Sequence, residues 1–151
     1  MGKIRPASAR DAFRIAEIYV ANYRLNFYPF FRNDAYYFDE LNVPDTAAEY
    51  AEGTAALAGT YVYDDGGIVK GFIRIQGEEI VKLYVEPVLQ SGGIGAELLR
   101  FAAGEKGCTW LWALKYNKRG IAFYERHGFH MTGLKKLEEG TAEYLVQMEK
   151  A

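Results

Sequence analysis

The stretch LYVEPVLQSGGIGAELLRF, Leu83 to Phe101, constrains the fold of this chain more than any other. A β-rich run ending at Pro87 passes through a glycine-rich break into a helical pattern. Ile94, Leu98, Leu99 and Phe101 give that helix its packed residues. Gly92, Gly93 and Gly95 stand at the junction with Gln90 just before them, where one glycine would serve for a turn. A helix N-terminus carries unpaired N–H groups and about half a positive charge, which attract anionic oxygen. Glycines let a diphosphate reach those N–H groups without meeting a Cβ. A strand-to-helix turn that uses glycine only for its φ angles is the competing reading.

Two phosphate-binding patterns fail here. The P-loop needs a Lys-Ser/Thr pair after its last glycine, but Ala96-Glu97 follows Gly95. The dinucleotide fingerprint needs a third glycine where Leu98 stands. What remains is Gln-x-x-Gly-x-Gly, formed by Gln90, Gly93 and Gly95.

Elsewhere the chain alternates strand and helix signals. Ile4–Arg5 reads as a strand stopped by Pro6. Ser8 caps a helix with Asp11 as a capping-box partner, and Ala12, Ile15, Ala16 and Tyr19 form its apolar stripe. A second helical segment, PDTAAEYAEGTAALAG, ends near Gly59. TYVYDDGGIVKGFIRIQ is a hairpin about Asp65-Gly66-Gly67, and EEIVKLYVEP is the strand that leads into the junction. CTWLWAL is a further strand, RGIAFYERHG a short helix closed by Gly128, and strands run through Phe129–Leu137 and Tyr144–Met148. The order β-α-α-β-β-β-α-β-α-β-β predicts one α/β (α+β) domain over 1–151, with about seven strands in a mixed sheet and about four helices.

Composition narrows the function classes. Net charge is −2 with acids and bases interspersed, so no basic footprint for nucleic acid is present. No apolar stretch approaches the ~20 residues that span a bilayer. A lone cysteine, Cys108, excludes an internal disulfide framework, and a cytoplasmic protein is expected. His127 and His130 lack acidic or thiol neighbours at ligand spacing, so no metal site is expected. Nine aromatics crowd Tyr19–Phe38.

With both motifs in view, the chain resembles the GCN5-related N-acetyltransferases (the GNAT superfamily). Their Gln/Arg-x-x-Gly-x-Gly/Ala signature follows a strand, as in LYVEPVLQSGGIGAELL. A second motif, an Asn and then a helix with Phe-Tyr and a closing Gly-Phe, is matched by NKRGIAFYERHGF, Asn117 to Phe129. The resemblance covers roughly Thr60 to Met148.

It implies acetyl-CoA as cosubstrate and direct transfer to an amine in a ternary complex. The backbone of Gln90, Ser91, Gly92, Gly93, Ile94 and Gly95 would cradle the pyrophosphate. Leu83, Tyr84 and Val85 would pair with the pantetheine arm, with a backbone N–H near Val85 polarising the thioester. Asn117 matches a pantetheine contact, its alternative being a simple helix cap. Tyr124 matches the general acid, and Glu79 the general base, directly or through water. Gly120 departs from a common alanine, and Ser91-Gly92 stand where a basic residue often sits. Lys115, Lys118, Arg119 and Arg126 are the basic candidates for the CoA 3′-phosphate.

The acceptor is expected to be a small-molecule or peptide amine. The Tyr19–Phe38 aromatics would shape its pocket, serve a homodimer interface, or simply pack. A non-catalytic acyl-CoA sensor and a protein N-terminal acetyltransferase are the alternatives.

Overall fold

The computed structural model describes residues 2–138 and 143–151. Seven strands form one sheet in the order β1-β2-β3-β4-β5-β7-β6. They are β1 (Lys3–Pro6), β2 (Thr60–Asp65), β3 (Ile68–Gln76), β4 (Glu79–Val85), β5 (Trp110–Leu114), β6 (Phe129–Leu137) and β7 (Tyr144–Lys150). Every pairing is antiparallel except β4 with β5. The β2–β3 hairpin turns at Gly66 and Gly67, both at positive φ, as its sequence predicts.

The long helices are α1 (Ala12–Asn26) and α5 (Ile94–Gly104); α6 (Lys118–Arg126) is shorter. The segment read as one second helix is instead two short ones, α3 (Val43–Ala48) and α4 (Ala55–Ala58). Asn42 and Thr54 cap them separately, each accepting from a backbone N–H of its own first turn, and Gly53 between them sits at positive φ. A further short helix, α2 (Tyr28–Phe31), and a π-helical turn at Tyr36–Glu40 occupy the aromatic stretch. The Ser8–Asp11 capping box forms, but on a 3₁₀ turn that precedes α1. Asp11 also holds Arg5 through two bonds of 2.9 and 3.0 Å, which ties β1 to the start of α1.

Helices cover both faces of the sheet. On one face Ile15, Ile18 and Val62 pack with Phe72 and Tyr84; on the other, Ile73, Ile80 and Leu83 pack with Leu98 and Leu99 of α5. Phe72 and Ile73 obey the alternation of a strand. Ile80 and Leu83 do not, since residues three apart share one face. The reason is an extra residue, Val81: Ile75 pairs with Ile80, but Arg74 pairs with Lys82.

That bulge positions the site. β4 pairs with β5 only at Glu79–Trp110 and Ile80–Leu111. From the bulge onward the two strands part, and a wedge opens between them.

Candidate active site

The wedge is the mouth of a cavity of about 620 Å³. Its walls are the end of β4, the N-terminus of α5, β5, α6 and the C-terminal end of α1. Of the residues singled out in the sequence, Glu79, Leu83, Tyr84, Val85, Gln90, Ser91, Gly93, Gly95, Asn117 and Tyr124 line it. Gly92 and Ile94 do not; Ile94, the first residue of α5, packs against the core.

Hydrogen-bond parity shows which way the β4 backbone points. The Glu86 N–H donates to the Lys70 carbonyl at 2.9 Å, so the next pair, Gly71–Val85, is a non-hydrogen-bonded pair. The N–H and C=O of Val85, and of Leu83 two residues back, therefore face away from β3 and toward the wedge. There β5 offers them no partner.

The Val85 carbonyl is met by side chains instead. Asn22, on α1 and 1% exposed, donates through Nδ2 to Ile18 O at 2.8 Å and to Val85 O at 2.9 Å. Gln90 donates through Nε2 to Asn22 Oδ1 at 2.9 Å and to Val85 O at 3.3 Å. The Gln90 of the signature thus fastens the junction to β4 and α1. Sequence reasoning missed Asn22; its only trace was a polar residue within the helical pattern.

At the junction Ser91 and Gly93 both have positive φ, 69° and 94°. Gly93 precedes α5 as its N-cap, where a Cβ would meet no atom but would be conformationally strained. The first bond of the helix runs from the Glu97 N–H to the Gly93 carbonyl at 3.0 Å, leaving the N–H groups of Ile94, Gly95 and Ala96 without helical partners. A cation reaches the same place from α6: Arg119 Nη2 donates to Ser91 Oγ at 2.9 Å. The basic side chain absent from Ser91-Gly92 is therefore supplied across the cleft.

Asn117 does cap α6, accepting from the Gly120 N–H at 3.0 Å, and it lines the cavity as well. Gly120 is what allows this. A Cβ there would lie 2.5 Å from Asn117 Nδ2.

One turn further on, Tyr124 packs edge-on to Phe123 and Phe129. Burial pushes its phenol up to about 12, so it stays protonated. Its hydroxyl makes no hydrogen bond among the described residues.

At the other end of the wedge, Glu79 is half-buried and lines the cavity while Glu78 is exposed. Burial raises the Glu79 carboxyl above its ordinary value, against the pull of Lys136, Arg74 and Lys82. Lys82 lies over the rings of Tyr19 and Tyr23 at 5.2 and 4.9 Å and donates to the Tyr23 hydroxyl. Tyr23 and Phe27 are the aromatics of the dense stretch that reach the cavity. Tyr28, Phe31 and Tyr37 pack with Val20 and Leu41 in a small core of their own.

Cys108 is buried away from the cavity, its thiol pushed up to about 11 by burial and Glu78. His127 lines the cavity, with Nδ1 2.8 Å from the Phe123 carbonyl. Among the described residues no cluster of three or more metal-ligating side chains occurs, and no helix is long and apolar enough to cross a membrane.

The acetyltransferase (GNAT) domain family matches residues 57–131. This range runs from the end of α4 into β6 and contains the wedge, the glycine junction and α6. The chain belongs to the GNAT superfamily. No curated protein sequence matches it.

Solved structures share the fold over nearly its whole length. Apo-form YjaB of Escherichia coli superposes with a TM-score of 0.79 at 16% identity, over 100% of this chain and 98% of its own. The PaiA N-acetyltransferase of Thermoplasma acidophilum, in complex with coenzyme A, gives 0.70 at 18%, over 100% and 99%. YncA of Salmonella typhimurium, with its cofactor acetyl-CoA, gives 0.67 at 23%, over 99% and 92%.

Proposed function

We propose that the whole chain is one acetyltransferase domain that moves an acetyl group from acetyl-CoA to an amine. The observation that carries this reading is the wedge itself. The N–H groups of Leu83 and Val85 face a gap with no strand to bond, and the open N-terminus of α5 lies at one end. The amide-rich pantetheine arm fits as a substitute strand along Leu83–Val85, and its pyrophosphate fits the N–H groups at Gly93–Gly95, with Arg119 adding charge. PaiA and YncA, which share the fold, hold CoA and acetyl-CoA respectively.

Each chemical demand then has a residue. A backbone N–H of Leu83 or Val85 stabilises the developing oxyanion. Tyr124, held as a phenol, donates to the departing sulfur. Glu79 takes the ammonium proton; four residues of strand, roughly 13 Å, separate it from Leu83, so water relays the proton. Asn117 contacts the pantetheine arm while capping α6. Transfer is direct, in a ternary complex, because the one cysteine is buried outside the cavity. A lone buried thiol also suits the cytoplasm.

The test is free-thiol release from acetyl-CoA across an amine panel. Turnover should fall about 10²-fold or more in Tyr124→Phe, on the scale of lost general acid–base catalysis. It should vanish in Gly93→Glu, which brings strain and negative charge to the cradle. CoA binding without thioester consumption on any amine would refute the enzyme and favour a sensor.

A further inference from the structure

Beyond the point where β4 and β5 part, the wedge is crossed on both of its faces. On the face of α5 and α6, Arg119 reaches Ser91 of the junction. On the face of α1, Phe30 of α2 stacks on Tyr116, in the loop between β5 and α6, with ring centroids 5.6 Å apart. Both rings are exposed, and neither lines the cavity, but each stands beside residues that do. Phe27 comes three residues before Phe30, and Tyr116 lies between Leu114 and Asn117. The stack therefore joins the α1 wall of the cleft to the β5 wall at its rim.

The surrounding segment holds Phe30 in that position. Tyr28 and Phe31, on either side of it, pack into the small core with Val20, Tyr37 and Leu41, which Phe30 does not join. Arg24 of α1 donates to the Tyr37 carbonyl at 2.8 Å, and the Tyr28 hydroxyl donates to Asp34 at 2.6 Å. Tyr36 comes near a third wall. Partial burial raises its phenol, and the charge of Glu138, which lines the cavity just past β6, adds to the rise. Residues 27–41 thus leave the α1 wall, touch the β5–α6 loop and return beside the end of β6.

An acceptor must use this face. With the pyrophosphate at α5 and the thioester at Leu83–Val85, the amine arrives from the α1 side. There Tyr84 packs with Tyr19 and Tyr23, and Tyr23 and Phe27 line the approach. The cavity of about 620 Å³ is the size of a site for one small ligand, and the pantetheine arm takes part of it.

We infer that residues 27–41 form a cover over the acceptor face, fastened by Phe30 and Tyr116, which admits a small free amine and excludes an amine carried on a polypeptide. This rests on the acetyltransferase reading and decides between its acceptor classes. A polypeptide offering its terminus or a lysine would have to lie where the cover lies. A small amine fits beneath it with its nitrogen at Leu83–Val85. Phe30 and Tyr116 are specificity residues that touch no reacting atom.

The experiment offers each amine twice, free and on a seven-residue peptide: butylamine against a lysine side chain, and glycinamide against an N-terminal glycine. Thiol release from acetyl-CoA gives kcat/KM for each. With the wild type the free amine should exceed its peptide partner by roughly tenfold or more, as for a pocket that cannot seat an added group. Phe30→Ala and Tyr116→Ala should each cut that ratio by about 2- to 12-fold, the worth of one aromatic stack. The double variant should cut it no further than the larger single, because both remove the same contact. Tyr116→Phe should keep the wild-type ratio. Peptides used as well as free amines by the wild type overturn the inference, and so does a ratio unchanged in both alanine variants. Either result leaves the acetyltransferase standing, whereas no acetylation of any amine removes both.

Discussion

Asn22 should be indispensable although it touches no reacting atom. Replacing it with leucine removes three hydrogen bonds, to Ile18 O, to Val85 O and from Gln90 Nε2. At about 1 kcal/mol net for each, partly offset by apolar burial of the leucine, the loss is about 3 kcal/mol once the orphaned Gln90 amide is included. At roughly 2–4 °C per kcal/mol for a chain of this size, Tm should fall by about 6–12 °C. Asn22→Asp keeps the shape and the Gln90 bond, but an ionised carboxylate cannot donate to either carbonyl. Burial without a cation will raise its pKa above the ordinary ~3.9. The cost is then full at pH above the raised value and fades as the group protonates toward the unfolded value. Urea midpoints should show Asn22→Asp losing ground on the wild type from about pH 5 to about pH 8, while the deficit of Asn22→Leu stays flat. Both variants should also lower kcat, because the end of β4 loses its anchor. An Asn22→Leu protein within about 0.5 kcal/mol of wild type, or a pH-independent Asn22→Asp, would refute the reasoning.

Three other perturbations test separate links. Gly120→Ala, ordinarily mild in a helix, should destabilise by about 1 kcal/mol through collision with Asn117 and loss of its cap, read by thermal unfolding. Arg5→Met should cost about 2 kcal/mol by stranding the Asp11 carboxylate, which is 5% exposed. Desolvation pushes that carboxyl up, but the bonds from Arg5 and Ser8 outweigh it and hold it below its ordinary value. The wild type's advantage should therefore be present above about pH 4 and shrink in acid, as the folded-state pKa is crossed. For catalysis, the acid limb of the pH–rate profile should lie above the ordinary glutamate range, because Glu79 must lose its proton from a raised value. Glu79→Gln should abolish that limb; an unchanged profile would exclude Glu79 as the base.

The donor half of the site was legible because backbone geometry dictates it. Gly93 must adopt a φ that side chains resist, a helix must begin at Ile94, and Gln90 must lie just before them. Few sequences satisfy those demands by accident, and the Asn117–Phe129 motif narrows them further. The order of strands and helices along the chain followed from hydrophobic period and turn chemistry. Helix boundaries between Asn42 and Gly59 did not, since alanine-rich residues there suit one helix or two, and Asn42 and Thr54 cap short pieces that periodicity reads as continuous.

The acceptor half was illegible for a different reason: it depends on a single bulge. Period-two alternation from Glu79 assigns Val81 and Leu83 to its face and sends Lys82 to the other. The inserted Val81 reverses this, so a lysine that reads as an ordinary strand residue becomes a cleft cation seated on Tyr19 and Tyr23. The same insertion ends the pairing of β4 with β5 and so opens the wedge. The gap between β4 and β5 and the place of Lys82 in the cleft thus both begin at Val81. A change at Val81 that restored regular pairing should narrow the gap and turn Lys82 away from the cleft together.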